Sequence, residues 1–290
     1  MAATMHVLPS PSTTGPANGG AGALLREWRT RRRRSQMDLA LDVGVSPRHL
    51  SFIETGRSRP SAAMLLALAE RLDLPLRERN RLLLAAGHAP HYSHTDLEHP
   101  AMAPVRAALQ RLLDAHQPYP GVVLDRHWNV VLANATALQL VQALPPELAA
   151  PPLNMMRASL HPQGFAAITA NFAEWGGYLV DALQRAVADS GDAVLVALRQ
   201  QVESWPNVRA LREAAAQRGG RLVDEAPTLL LPCVLDLPGP AGPQRLSLFT
   251  TLTSFGTPRD ITLAELAVEL FYPADAATEA LLRASPGPSA

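Results

Sequence analysis

The side chains of this sequence best suited to chemistry are arginines, and they are concentrated in one segment. All 26 basic residues are arginine, and 26 acidic residues balance them. Residues 22–81 hold 13 of the arginines against seven acidic residues, a net charge of +6 that leaves −6 on the rest of the chain. A basic segment beside an acidic body indicates a polyanionic partner for the first part and a different partner for the second.

A helix–turn–helix pattern lies within this basic segment. Counted from Gln36, its apolar positions are spaced as two short packed helices require, and they are Leu39, Val43, Val45, Leu50 and Ile53. Ala40 is small enough for the helices to cross closely, and Gly44 can adopt the positive φ that reverses the chain. Ser46 is suited to cap the second helix, with Pro47 in its first turn.

The outward face of the second helix is a candidate reader of the DNA major groove. Its members are Ser46, Pro47, Arg48, Ser51, Phe52 and Thr55. An arginine can bind guanine O6 and N7 through two hydrogen bonds, and a phenylalanine ring can cover a thymine methyl group. The alternative is an ordinary αα-hairpin whose arginines face solvent.

The stretch from GALLREWRTRRRRSQ to RNRLLLAAG, residues 22–87, resembles the helix-turn-helix domain of the phage-repressor-like XRE family, a five-helix bundle. The resemblance implies that Gln36 contacts phosphate from a helix N-terminus. It also implies that Arg48 and Phe52 approach base edges of double-stranded operator DNA.

The same resemblance assigns residues outside the second helix. It implies that Arg57 and Arg59 hold the DNA backbone and that Arg29 and Glu54 form a structural ion pair. Within the arginine run 31–34, two arginines stand where relatives have a glycine and an apolar residue, so one core contact is expected to be missing. The run itself either lies along phosphates or is solvated.

Other segments are assigned by composition and periodicity. Residues 1–21 are expected to be a disordered tail, and the Pro- and His-rich residues 88–103 a linker. After the linker, a helix is predicted over 105–116, followed by a hairpin of 121–125 and 128–133 and mostly helix over 164–218. Paired strands are predicted over 229–237 and 245–255. The last predicted element is a third strand or a helix over 264–270.

The segments HQPYPGVVLDRHWNVVLANATAL, LHPQGF and LTSFGTPRDITLAELAVELFYP, within residues 104–288, resemble the MmyB-like ligand-binding domain. The resemblance implies a PAS-like α/β module, in which an antiparallel sheet carries helices over one face and a cavity for a small apolar ligand. Long-chain fatty acids are the leading ligand class that it implies. The expected fold class of the whole chain is therefore α+β.

Candidate ligand contacts follow from an apolar stripe at helical spacing, although such a stripe is most often plain core. They are Ile168, Phe172 and Trp175 on the stripe, Arg157, His161 and Asn171 as polar groups that could orient a carboxylate, and Phe249 and Phe255 as the floor on the sheet. The resemblance favours a cavity-facing role for Phe172 and Trp175.

Several other classes of protein find no support. Walker, GxSxG, HExxH and strand-linked GxGxxG motifs are absent, and no apolar run is long enough to cross a bilayer. His88, His91, His94 and His99 invite a metal site, but prolines make their segment a linker rather than a helix. The single Cys233 cannot form an internal disulfide. No catalytic residue and no metal are expected.

These observations together predict a cytoplasmic DNA-binding regulator that acts as a homodimer, without a membrane partner, and responds to a small apolar ligand. Two alternatives stay open at this point. In one, the acidic body of a constitutive DNA-binding protein serves only oligomerisation. In the other, the helix-turn-helix is a docking module of an enzyme.

Overall fold

The structure, a computed structural model, describes residues 20–217, 222, 229–238, 242 and 244–284. The chain divides into two units, one ending at Ser93 and the other beginning at His94. Of the expected tail, residues 1–19 lie outside the described residues, and Ala21 already begins a helix. The turn expected between the last long strands also lies largely outside them.

The described part of the N-terminal unit, residues 20–93, contains five short helices, as the sequence predicts. They are α1 (Ala21–Arg31), α2 (Gln36–Asp42), α3 (Pro47–Glu54), α4 (Ala62–Arg71) and α5 (Leu76–Ala85). Three of them start with serine caps: Ser35 accepts from Asp38 N at 3.1 Å, and Ser46 and Ser61 cap α3 and α4 in the same way. The core consists of fully buried leucines, among them Leu25, Leu39, Leu50, Leu65, Leu68 and Leu82.

Two glycines set how the first three helices meet. Gly44 has a φ of +72° between α2 and α3, which is the left-handed turn expected from the sequence. A Cβ at Gly22 would lie 2.2 Å from the carbonyl oxygen of Ile53, so any side chain there would collide with the backbone of α3. The close approach of α1 to the end of α3 therefore depends on Gly22.

The C-terminal unit combines nine helices with five strands among its described residues. The helices are α6 (Ala103–Ala115), α7 (Ala135–Val141), α8 (Pro146–Ala149), α9 (Met155–Leu160), α10 (Phe172–Ser190), α11 (Ala193–Glu203), α12 (Pro206–Gln217), α13 (Ile261–Glu265) and α14 (Ala276–Ala284), with 3₁₀ turns at Pro100–Met102 and Phe165–Ile168. The strands are β1 (Gly121–Leu124), β2 (Val130–Ala133), β3 (Cys233–Leu237), β4 (Gln244–Ser254) and β5 (Ala267–Pro273).

The strands form one antiparallel sheet in the order β2-β1-β5-β4-β3. The predicted β1–β2 hairpin and the pairing of β3 with β4 are confirmed. The prediction of a strand over 264–270 is wrong at its start, because Asp260 caps the short helix α13 by accepting from Thr262 N at 2.8 Å. The strand begins only after that helix, so β5 runs from Ala267 to Pro273.

Both faces of the sheet carry helices, which corrects the expectation of helices over one face. Val123 of β1 packs with Leu109 and Leu113 of α6, whereas its neighbour Val122 packs with Ala137 of α7. Successive side chains of a strand point to opposite faces, so α6 and α7 cover opposite sides. All four residues of β1 are buried, whereas most residues of β5 are half-buried.

The segment expected to be a linker makes contacts with each unit. On the N-terminal unit, the His88 ring lies 3.0 Å from the carbonyl oxygen of Pro60, and Asn80 accepts from the backbone of His91 at 2.8 Å. On the C-terminal unit, the Thr95 hydroxyl donates to Asp260 at 2.8 Å, and Leu97 and Met102 join the core beneath α6. The division into units falls inside the expected linker.

Candidate nucleic-acid interface and ligand cavity

The outward face of α3 carries the residues that the sequence assigned to DNA. Ser46, Pro47, Arg48 and Thr55 are exposed, and Ser51 and Phe52 are half-buried. The Arg48 guanidinium lies over the Phe52 ring, 5.3 Å from its centroid. Leu50 and Ile53 are buried on the opposite side and fix the rotation of the helix. The face can therefore present a guanidinium and an aromatic edge to a groove.

A buried polar network stands behind this face. Arg29 donates from Nε to Glu54 Oε1 at 2.6 Å and from Nη2 to Oε2 at 2.9 Å, which confirms that the two residues pair. The hydrogen bond to Glu54 raises the pKa of Arg29. Gln36 donates its amide N–H to Glu54 at 2.7 Å, so the network also holds the N-terminus of α2. A phosphate contact of Gln36 stays a prediction.

Three arginines of the run 31–34 have partners within their own unit. Arg31 pairs with Glu27, Arg34 pairs with Asp42, and Arg32 donates to the carbonyl oxygen of Leu72 at 3.1 Å. In the free protein these three arginines are therefore engaged within the unit, Arg33 is exposed, and alignment of the run with phosphates stays a prediction. At the position where relatives have a glycine, Arg33 takes a φ of +53°, the left-handed conformation that glycine adopts more readily.

Two further arginines lie after α3, as the sequence suggested. Arg57 is exposed, and its backbone N–H donates to the carbonyl oxygen of Phe52 at 2.8 Å. Arg59 is exposed but donates from Nη2 to the carbonyl oxygen of Ala86 at 3.3 Å. A contact of either guanidinium with the DNA backbone stays a prediction.

A cavity of about 210 Å³ lies in the C-terminal unit between the sheet and the helices α7, α9 and α10. Its walls are mainly aliphatic and aromatic, with Val122 and Phe271 on the sheet and Met155, Trp175 and Leu179 on the helices. A concave apolar site with a few polar groups is the usual form of a small-molecule site. The enclosed helix–sheet interface therefore contains room for a ligand.

The polar side chains of this cavity form a small group. They are Ser159, Tyr178, Cys233, Thr250 and Glu269. Burial raises the pKa of Glu269 to about 7, although a hydrogen bond from Thr250 opposes this shift. Burial also raises the pKa of Cys233 to about 12, and the negative charge of Glu269 adds to the effect. No arginine or histidine lines the cavity that the described residues enclose.

Of the residues predicted to contact a ligand, Trp175 lines this cavity. Phe172, one turn earlier, lies over Gly176, where a Cβ would come within 2.8 Å of its ring. Ile168 belongs to the core around Leu235. Neither Phe172 nor Ile168 lines the described cavity, so a ligand contact of either residue stays a prediction.

The polar residues of that prediction are engaged elsewhere. Asn171 bridges the start of α10 to β3, donating to the carbonyl oxygen of Pro232 at 2.8 Å and accepting from Val234 N at 3.0 Å. Arg157 is exposed and donates to Gln201 at 3.0 Å. His161 packs edge-on against Trp205. None of the three lines the described cavity, so their proposed role toward a carboxylate is not retained.

The two residues predicted to form the floor of the cavity, Phe249 and Phe255, lie elsewhere. Thr250 faces the cavity, so its neighbour Phe249 points to the other face of the sheet, where it stacks on Tyr272 at 5.3 Å. Phe255 lies beyond the end of β4 and is exposed. Sequence reasoning missed Thr250 and Glu269. The single acid Glu269 within the otherwise apolar strand β5 was a signal in the sequence. The alternation of side chains along a strand, however, cannot show whether both faces of the sheet are covered.

Within the described part of the chain, no group of three or more His, Cys, Asp and Glu side chains is arranged to hold a metal ion. Over the same residues, no helix has the length and apolar character needed to cross a bilayer.

Comparisons with known proteins agree with the two units. A helix-turn-helix family model matches residues 25–79, and the model of the MmyB-like transcription regulator ligand binding domain matches residues 105–284. A search of curated proteins found no match. Among solved structures, the chain is similar to "Structure of an RNA-binding Light-Oxygen-Voltage Receptor" at 12% identity and a TM-score of 0.23, covering 90% of this chain and 60% of that one.

The second family model covers more than half of the chain, and the first covers the helices that carry the exposed face of α3. Both are domains of transcription regulators that bind DNA. The chain therefore belongs to the MmyB-like transcription regulators, in which a helix-turn-helix DNA-binding domain precedes a ligand-binding domain.

Proposed function

We propose that the cavity binds a small, largely apolar effector and that its occupancy changes the affinity of the helix-turn-helix for an operator. The observation that carries this proposal is an apolar cavity of about 210 Å³ in the same chain as an exposed recognition face. Fatty acids are the effector class that the family resemblance implies, and an acyl chain is compatible with the aliphatic and aromatic walls. The effector's head group is a separate question.

On the DNA side, α3 enters the major groove, with Arg48 and Phe52 at base edges and Arg57 on phosphate. One such domain covers about 600–1,000 Å², so useful affinity requires a homodimer on half-sites about 34 Å apart or a multiple of that distance. Arg31, Arg32 and Arg34 have partners within the unit, which reduces their availability for phosphate. This favours Arg57 as the residue that contacts phosphate.

The base-reading role is tested with an operator selected from random duplexes by the wild-type protein. Arg48→Ala is expected to cost about 1–3 kcal/mol and to relax specificity at one base position. Arg57→Ala is expected to weaken binding to all sequences alike. Equal losses on matched and mismatched operators for Arg48→Ala would refute the assignment.

The sensing role is tested by measuring operator affinity in the presence of hexyl and decyl acids, alcohols and amines. At least one class is expected to change the affinity by about tenfold, equivalent to about 1.4 kcal/mol. Ala182→Leu, which fills the cavity, should abolish the response, whereas Ala188→Leu on the exposed side of the same helix should retain it.

Either of two results would favour the constitutive alternative. In the first, no probe changes operator affinity. In the second, the change persists unaltered in Ala182→Leu, which would place the responsive site outside this cavity.

A further inference from the structure

Glu269 occupies an unusual place for a charged side chain. It lies on β5, in the middle of the sheet, where Val122 of β1 and Leu252 of β4 are its direct cross-strand neighbours. All three border the cavity, and the two neighbours are aliphatic. A carboxyl group is therefore set into an apolar wall of the cavity, beside a leucine that is itself largely exposed.

The surroundings of this carboxyl do not neutralise it. Thr250 is the one neighbour that favours its charged form, while a carboxylate has about four acceptor positions. Cys233 and Tyr178, the other titratable side chains of the cavity, cannot carry a positive charge, and no basic side chain lines the described walls. Glu269 retains some accessible surface because it borders the open space rather than packed side chains.

We propose that Glu269, supported by Thr250, is the polar anchor of the cavity and selects an effector with an apolar body and a cationic amine head. An ammonium group has three donors and the opposite charge, so it satisfies the unfilled acceptor positions of the carboxylate. A burial that is costly for a lone carboxylate becomes favourable when the partner charge arrives with good hydrogen bonds.

The same environment disfavours a carboxylate head at this position. A bound carboxylate would place a second negative charge beside Glu269 in a region of low dielectric constant, and one of the two groups would have to take up a proton. An alcohol avoids this repulsion but offers a single donor and no charge. The expected order of affinity for equal chains is therefore amine, then alcohol, then acid.

This inference rests on the proposed function, since it assumes that the cavity is the effector site. Its consequence is a class of regulator ligand that differs from a fatty acid in the sign of its head group. The apolar walls select for the body of the molecule, and Glu269 selects for the head.

The test measures binding of hexyl- and decylamine, the matching alcohols and the matching acids to the full chain at pH 7. Quenching of tryptophan fluorescence reports occupancy, because Trp128 and Trp175 both line the cavity. Decylamine or hexylamine is expected to bind at least tenfold more tightly than its acid. Glu269→Gln should weaken amine binding at least tenfold and strengthen acid binding.

The control variant is Glu213→Gln, an exposed acid on α12, and it should leave all affinities unchanged. A weakening of the amine by Glu213→Gln as large as that by Glu269→Gln would overturn the inference, since surface charge would then explain it. So would an acid that binds as tightly as its amine, or amine binding that is indifferent to Glu269→Gln. Circular dichroism confirms that each variant is folded.

The outcomes separate this inference from the proposed function. If acids or alcohols bind in the cavity and change operator affinity while amines do not, the choice of head group is wrong but the sensor stands. If no member of any series binds, both fail together. If amines bind through Glu269 without changing operator affinity, the anchor stands and the regulatory role fails.

Discussion

The pair formed by Arg29 and Glu54 provides a sharp test of how the DNA-binding unit is held together. The Glu54 side chain is 1% exposed and accepts three hydrogen bonds, two from Arg29 and one from Gln36. Arg29 also donates to the carbonyl oxygen of Arg34 at 2.8 Å, so it ties the chain after α1 to the end of α3. Arg29→Ala removes its three hydrogen bonds at once and leaves Glu54 with only the one from Gln36.

The expected cost of Arg29→Ala is about 3–5 kcal/mol, because it leaves an uncompensated buried carboxylate. Domains of this size have a total free energy of unfolding of about 5–15 kcal/mol, so the change removes a large part of it. Arg81→Ala is the matched control: its pair with Glu78 is exposed on the arginine side, and its loss should cost at most about 1 kcal/mol.

Hydrogen exchange of peptides from α1 to α3, followed across a urea series on the full chain, isolates the N-terminal unit from the rest. Equal losses for Arg29→Ala and Arg81→Ala would refute the reasoning, since they would mean that the carboxylate of Glu54 remains solvated. The double variant Arg29→Met/Glu54→Leu removes both charges and should recover most of the stability lost in Arg29→Ala.

Three further predictions concern packing, pH and reactivity. Gly22→Ala should destabilise the N-terminal unit by about 1–3 kcal/mol in urea unfolding, because its Cβ would meet the carbonyl oxygen of Ile53 at 2.2 Å, whereas Gly20→Ala meets nothing within 4 Å and should be near neutral. The pKa of Glu269 is raised to about 7, so the native state holds this proton more tightly than the unfolded state. Stability should therefore fall by roughly 3 kcal/mol as pH rises from about 4.5 to about 7, and the difference between wild type and Glu269→Gln should contain that slope. With its pKa raised to about 12, Cys233 should react with a disulfide reagent at pH 8 far more slowly in the native protein than in urea, and equal rates would contradict its burial.

The N-terminal unit was predictable because its signals are local. Serine caps, the positive φ at Gly44 and the spacing of Leu39, Leu50 and Ile53 each act within a few residues. The Arg29–Glu54 pair spans 25 residues, and the sequence indicated it only through the family pattern. The packing role of Gly22 was not predicted, since a glycine inside a helix shows no sign of the backbone that approaches it.

The C-terminal unit was predictable in its strands but not in its cavity. The hairpin, the pairing of β3 with β4 and the period of two in β5 follow from short-range pattern. Which side of β4 meets open space depends on helices that are distant in sequence, such as α10, which ends at Ser190, well before β4 begins at Gln244. This is why Phe249 was assigned to the wrong face, while Thr250 beside it was overlooked.

The position of Glu269 links the stability of the fold to its selectivity. An aliphatic side chain between Val122 and Leu252 would continue the apolar wall without the desolvation that raises the pKa of the carboxyl group. The acid therefore lowers the stability of the empty domain at neutral pH, and a cationic ligand offsets that loss when it binds. The loss of stability and its compensation by the ligand both arise at the Glu269 carboxyl group. Replacing this group should therefore raise the stability of the empty domain and lower its affinity for a cationic head.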